Sequence, residues 1–315
     1  MEKKKIVVIE PLNVSEEMLR SEFAKFSDYD LVYYNNRSED KEELIARARD
    51  ASILVVSNIK MGKDILENYP KLEMVCVAFT GVDHLDVEYC ENNNITVSNA
   101  SGYATQGVAE LTFGLIFDLY RNLKIGDKEV RKGHNHNNRL GIEIAGKKFG
   151  VVGAGEISKE VINLAQAFKA EVLVYNRSQV NLENINQVSL EALFKNSDII
   201  SIHLPLNKDT KGKISKDLLS LMKKDAILIN TARGPIIDND YLAEMLINNK
   251  IMGAGIDVFD YEPPLSRDYK LLSAPHTTLS PHIAYYTQEA MEKRFKIVIK
   301  NIEAFIANKP INKVV

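Results

Sequence analysis

The stretch FGVVGAGEISKEV, Phe149 to Val161, offers backbone groups for chemistry. Gly153 and Gly155 give a tight turn after an apolar run. The helix expected from Glu156 then presents free N–H groups and the positive end of its dipole, which suits phosphate oxygens. The pattern reads as a dinucleotide site with two departures. Ser158 stands where a third glycine is usual, and its small side chain asks for only a modest adjustment. Glu156 sits inside the turn, and a carboxylate there repels a pyrophosphate unless it faces solvent or pairs with a cation. The two glycines alone are a weak signal. A strand before them, a helix after and a second strand, EVLVYN, strengthen it. An acidic residue at the end of that second strand is common where NAD is bound. This chain has Asn176, Arg177 and Ser178 there. Nothing in that triplet repels a 2′-phosphate, and an arginine and a hydroxyl are available to bind one. NADP is therefore the expected cofactor, with NAD possible; the plain reading of Arg177 is a solvent-exposed loop residue.

Three other pieces carry groups able to bind anions or move protons: INTARGPIIDNDYL, GAGIDVFDYEPP and LSPHIAYYT. Their candidates are Arg233, Glu262 and His282. Taken singly, each has a structural reading, as a surface ion-pair partner, a turn residue before Pro263 and a loop histidine after Pro281. His134 and His136, in KGHNHNNRLG, raise the question of a metal. Without an acidic or cysteine companion nearby they read as a solvated loop, and no metal is expected.

Such groups need elements to hold them. KIVVIE, DLVYYN, SILVVSN, MVCVAF and ITVSNA read as strands, with the helical segments SEEMLRSEFAKF and EDKEELIARARD among them. A second series starts at Lys147, with strands KFGVVG, EVLVYN, DIISIHL, AILINTA, GAGIDVF and TLSPH. This alternation implies parallel sheets covered on both faces, in two α/β domains with a cleft between them. Between the series, YATQGVAELTFGLIFDLYRNLK carries only Glu110 and Asp118 as charges before Arg121. Such a helix must be buried on most sides; it reads as a dimer interface, the alternative being a core helix between domains. In the last segment Met291, Phe295, Val298, Ile302 and Phe305 recur at steps of three and four, as on one face of an amphipathic helix.

Composition adds exclusions. The chain has 315 residues, 45% hydrophobic and 26% charged, with a formal net charge of -3. Nothing in that balance points to nucleic acid or a membrane surface. Cys76 and Cys90 have no metal or redox spacing, so a reducing compartment, the cytoplasm, is expected. MEKKKIVVIEP reads as a first strand and not as a signal peptide, and no segment has the ~20 apolar residues of a membrane span.

Taken together, the motifs resemble the D-2-hydroxyacid dehydrogenases over nearly the whole chain. The likeness lies in the order and spacing of GYATQGVAELTFGL, GKKFGVVGAGEIS, SDIISIHLPLNKDTKGKIS, LMKKDAILINTARGPIIDNDYL, GAGIDVFDYEPP and SPHIAYYT. The resemblance implies a Rossmann cofactor domain, 99–283, inserted into a flavodoxin-like substrate domain, 1–98 plus 284–315. Both would be doubly wound parallel sheets, with the active site in the cleft and no length left for an appended regulatory domain. Arg233 would bind substrate, His282 would be the acid/base, and Glu262 the histidine's carboxylate partner. Backbone amides around Thr80, Gly81 and Val82 would receive the substrate carboxylate; phosphite-oxidising relatives have a lysine where Thr80 stands. Thr105, Ala154, Gly155, Glu156 and Ile157 would lie at the phosphates. Asn176, Arg177 and Ser178 would meet the adenosine ribose, and His203, Leu204, Pro205 and Thr210 the adenosine side. Thr231, Ala232 and Asp257 would hold the nicotinamide end. One departure is that the family often has a tryptophan before the cofactor domain, and this chain has none.

The chemistry suits these residue types. Reduction of a 2-oxo acid puts a hydride on C2 and a proton on the carbonyl oxygen. A histidine holds a proton near neutral pH. A carboxylate on its other ring nitrogen favours the imidazolium and fixes the ring. An arginine clamps the substrate carboxylate and polarises the carbonyl. Expected substrates are hydroxypyruvate and glyoxylate. The alternatives are pyruvate, as in a D-lactate dehydrogenase, because Tyr285 and Tyr286 follow the histidine, and D-3-phosphoglycerate. A dinucleotide-sensing corepressor is the rival of a different class.

Overall fold

The computed structural model describes residues 3–135 and 140–315. The chain divides into two compact units, Met1–Ala104 with Thr287–Val315, and Thr105–Tyr286. Each is built on one sheet.

The first unit has strands β1 (Lys4–Val8), β2 (Tyr29–Tyr33), β3 (Ala51–Val56), β4 (Met74–Val77) and β5 (Thr96–Asn99). All pair in parallel, in the order β2-β1-β3-β4-β5. This is the flavodoxin-like winding. The central strands are continuous apolar runs because helices cover both faces; every residue of β3 and β4 is buried. On one face Ile6, Val8, Ile53, Val55 and Met74 pack with Leu19 and Phe23 and with Phe295, Val298, Ile299 and Ile302. Those last four lie on the Gln288–Ile306 helix, whose inward positions match the three-and-four spacing, although Phe305 is only half-buried. The C-terminal tail covers the edge of β5, with Val97 and the Val314–Val315 segment exchanging backbone hydrogen bonds.

The second unit has β6 (Lys148–Val152), β7 (Glu171–Tyr175), β8 (Ile185–Gln187), β9 (Ile199–Ile202), β10 (Ile227–Asn230), β11 (Gly253–Ile256) and β12 (Thr277–Leu279). The order is β12-β11-β10-β9-β6-β7-β8, all parallel. Counted from β6, this is the Rossmann order 3-2-1-4-5-6 with one strand added. Winding reverses between β6 and β9, and that reversal opens a crevice at the C-terminal ends of those strands. The short edge strand β8 has no apolar run to mark it, and the sequence reading missed it.

The apolar stretch expected to run on to Lys124 stops earlier. One helix spans Thr105–Arg121, Asn122 turns left-handed at φ +53°, and a second helix spans Leu123–Arg131. Asp118 accepts from the Lys124 N–H at 2.7 Å and from the Thr278 hydroxyl at 2.6 Å, so one carboxylate caps the new helix and ties the break to β12. The first helix lies close against β11. A Cβ at Gly255 would come within 2.9 Å of Leu115, which is why the strand reads GAGI. Among the described residues no helix is long and apolar enough to cross a membrane. Both cysteines are buried free thiols, pushed by burial up to about 12 and so inert.

Candidate active site

The sheet of the second unit brings the expected cofactor residues to one edge. Gly153–Ile157 follow β6, Asn176–Ser178 follow β7, His203–Pro205 follow β9, Thr231 and Ala232 follow β10, and Asp257 follows β11. These are five adjacent strands, and all the residues lie beyond their C-terminal ends, where open α/β sheets bind ligands. Thr105 is the first residue of its helix. In the first unit, Thr80, Gly81 and Val82 follow β4, with the Thr80 carbonyl held by the Asn99 amide at 2.8 Å.

The phosphate turn fits a dinucleotide. Gly153 has φ +106°, and a Cβ there would meet the His203 carbonyl oxygen at 2.8 Å. Only glycine lets the loops after β6 and β9 approach this closely. A Cβ on Gly155 would meet nothing within 4 Å, so the space above the turn is open. Gly155 caps the Glu156–Ala167 helix with no side chain on its first turn, leaving its N–H groups for an anion. The two departures have structural outcomes. Glu156 is 73% exposed and pairs with Lys159 at 2.5 Å, so its charge is turned to solvent and to a cation. Ser158 is fully buried and its hydroxyl has no hydrogen-bond partner. The substitution for glycine thus strands a polar atom, a larger cost than a modest adjustment.

Beyond β7, the Asn176 amide donates to the carbonyl and hydroxyl oxygens of Ser178, folding the turn. Arg177 projects from it, 89% exposed, 3.6 Å from Asp209. Thr210 acts inside its own loop, its hydroxyl donating to Pro205 O at 2.5 Å and accepting from the Asn207 N–H. His203 shares a 2.8 Å hydrogen bond with Ser201 Oγ, and burial pushes its imidazole down to about 4, so it is neutral at pH 7.

The candidate catalytic groups sit on three loops along the same edge. His282 Nδ1 and Glu262 Oε1 are 2.7 Å apart, and the His282 side chain is 11% exposed against 60% for Glu262. The Tyr285 ring stands edge-on to the imidazole at 5.2 Å between centroids. Asp257 sets the histidine loop. It is completely buried, accepting from Ser280 Oγ and Ile283 N on one oxygen and from Ala284 N on the other. Its backbone carbonyl also receives the His282 N–H, and His282 adopts φ +53°.

Arg233 is placed by residues the sequence reading passed over. Asn230, buried at the end of β10, donates to Arg233 O and accepts from Ala232 N, closing the turn around the arginine. A Cβ at Gly234 would lie 2.0 Å from the Phe259 carbonyl, so this loop and the one leading to Glu262 touch backbone to backbone. Asn239 stitches them, donating to Gly234 O at 3.1 Å and to Asp260 Oδ1 at 2.8 Å, while Tyr269 donates to Asp260 Oδ2. Asparagine at the end of a strand signals a side-chain-closed turn, and Asn230 was legible on that ground. Asn239 carried no such signal.

Residues 113–284 match the family profile described as D-isomer specific 2-hydroxyacid dehydrogenase, NAD binding domain. The chain belongs to the D-2-hydroxyacid dehydrogenase family. Its relatives among these NAD(P)-dependent oxidoreductases of CH–OH groups include the glycerate dehydrogenase of Methylorubrum extorquens, 35% identical over 87% of this chain and 88% of that one. The D-3-phosphoglycerate dehydrogenase of Methanocaldococcus jannaschii is 36% identical over 84% of this chain, which spans about half (51%) of that protein's length. Among solved structures, an acyclic imino acid reductase (Bsp5) in complex with NADPH and D-Arg superposes with a TM-score of 0.91 at 35% identity, covering 99% of this chain and 100% of that one. As a family member, the dehydrogenase has its NAD-binding domain in the second unit.

His134 has an acidic partner after all, Glu129 Oε2 at 2.9 Å, so the view that it lacks one is corrected. No group of three potential metal ligands occurs among the described residues, and His136 lies outside them.

Proposed function

We propose that this dehydrogenase reduces a small 2-oxo acid to the D-2-hydroxy acid with NADPH, hydroxypyruvate and glyoxylate being the favoured substrates. The observation that carries the reading is the 2.7 Å contact of His282 with Glu262. With Nδ1 held by the carboxylate, Nε2 would be the ring atom that gives a proton to the substrate carbonyl oxygen and takes one in the reverse direction. Bound reduced nicotinamide supplies the hydride. Arg233, on the turn closed by Asn230, pairs with the substrate carboxylate and draws charge from the carbonyl. The second unit serves the cofactor and the first the substrate.

The NADP preference rests on Arg177, which projects with no carboxylate in its own turn, and is supported by the likeness to an NADPH-bound reductase. NAD use at lower efficiency is compatible with it. The likeness to a glycerate dehydrogenase supports the hydroxypyruvate reading. A second reading, pyruvate to D-lactate, is favoured by the Tyr285 ring against His282, which suits a small apolar substituent. The working form is proposed to be a cytoplasmic homodimer. Leu123, Val130 and Leu140 are 56%, 71% and 91% exposed, and a second copy would cover them.

The test is loss of reduced-cofactor absorbance with hydroxypyruvate, glyoxylate and pyruvate, with NADPH and NADH side by side. Faster turnover at lower KM is expected with NADPH. His282→Ala should lower kcat by about 10²–10⁴-fold and leave cofactor binding intact. Turnover with NADH alone sinks the NADP assignment. Tight cofactor binding with no turnover of any 2-oxo acid favours the corepressor class.

A further inference from the structure

Two threonines that no motif links meet behind the C-terminal end of β10. Thr112, on the Thr105–Arg121 helix, is fully buried, and Thr231, directly after β10, is 7% exposed. Their hydroxyl oxygens are 3.2 Å apart. Thr112 Oγ1 is also 2.8 Å from the carbonyl oxygen of Val108, one turn earlier on the helix.

Hydrogen bookkeeping fixes the direction of this pair. A hydroxyl has one hydrogen and two lone pairs, and a carbonyl oxygen only accepts. The Thr112 hydrogen therefore goes to Val108. Thr112 is left to accept from Thr231, and the Thr231 hydrogen is spent on Thr112. What Thr231 can still offer is a lone pair. The Ala232 N–H is taken by Asn230 Oδ1, so it offers a ligand no donor. This stretch of the sheet edge offers an acceptor, and a donor would have to come from the ligand.

We propose that Thr112 is a positioning residue that makes Thr231 an obligate acceptor, so that the site selects a cofactor ring bearing an N–H donor, the carboxamide of nicotinamide, over a ring bearing a ketone. The inference rests on the reading that Thr231 lies at the nicotinamide end. Thr112 acts only through Thr231, from the far side of the turn.

The test uses the full chain and the fluorescence of the reduced cofactor, which no tryptophan obscures because the chain has none. Dissociation constants are measured for NADPH and for its reduced 3-acetylpyridine analogue, in which a methyl group replaces the amide nitrogen. The wild type is expected to favour the amide by roughly tenfold, the value of one hydrogen bond. Thr112→Val keeps the shape and removes the acceptor. It frees the Thr231 hydrogen to donate to the acetyl oxygen, and the preference should fall to about twofold or less. Thr112→Ser should restore it. If Thr112→Val does not fold, Thr231→Val removes the ligand-facing acceptor itself and must also abolish the preference. Equal weakening of both ligands by Thr112→Val, or an unchanged preference, overturns the inference while the dehydrogenase reading stands. A wild type that binds neither reduced dinucleotide overturns that reading and the inference with it.

Discussion

Single buried atoms set several properties of this chain. Ser158 buries a hydroxyl with no partner in the helix that begins at the phosphate turn. Removing it should cost nothing. Ser158→Ala is expected to leave stability unchanged or raise it by ~1 kcal/mol, read as the midpoint of urea unfolding. His203 carries a pH effect. The unfolded chain takes up its proton near pH 6.5, whereas the folded protein holds the imidazole down to about 4. Below pH 6.5 the unfolded state therefore binds more protons. The stability associated with His203 is complete above about pH 6.5 and declines as pH falls toward 4. Between pH 7 and pH 5 the loss should be ~2 kcal/mol. His203→Gln should remove that share of the slope; an unchanged slope would mean that other groups produce it.

At the scale of elements, two glycines one turn apart in function behave differently. At Gly155 a methyl group meets nothing, and the backbone φ of -77° suits any residue. Gly155→Ala should melt like the wild type, yet weaken dinucleotide binding by tenfold or more, roughly, because the methyl occupies the space over the helix N-terminus. At Gly234 a methyl would overlap the Phe259 carbonyl at 2.0 Å. Gly234→Ala should cost about 4 kcal/mol or more and separate the arginine loop from the loop that carries Glu262. Thermal melts and cofactor titrations on the two variants check both. Equal melting of the pair would mean that the close approach of the loops is not needed for folding. The reason lies in backbone packing, and a sequence that shows two glycines in two turns gives no sign of it.

For the whole molecule, the Leu123–Arg131 helix buries none of its residues within the chain, and Leu123 and Val130 are exposed. A second copy is the occupant that the apolar Thr105–Arg121 stretch beside it already suggests. Light scattering should give twice the chain mass, and Leu123→Glu with Val130→Glu should give the monomer mass without loss of secondary structure. A monomeric wild type would end the dimer reading.

The sequence by itself determined the class of fold, since buried parallel strands must be runs of Val, Ile and Leu, and helices must alternate with them. It also determined the family and the candidate groups, because Arg233, Glu262 and His282 stand in motifs whose order is unmistakable. Only the tertiary structure decided what those groups touch. The Glu262–His282 pairing spans twenty residues of chain, and Asp257 turned out to hold the histidine loop with three hydrogen bonds. Asn239 and Thr112 escaped notice because their roles depend on partners across strands and loops, whereas Asn230 closes its own turn. The break at Asn122 and the edge strand β8 escaped for a related reason: local pattern records which residues are apolar, whereas turning and pairing are settled by capping and neighbouring strands. Periodicity reports how much of a side chain must be buried. Hydrogen-bond direction and loop contact depend on distances between residues far apart in the chain, and those exist only once it has folded.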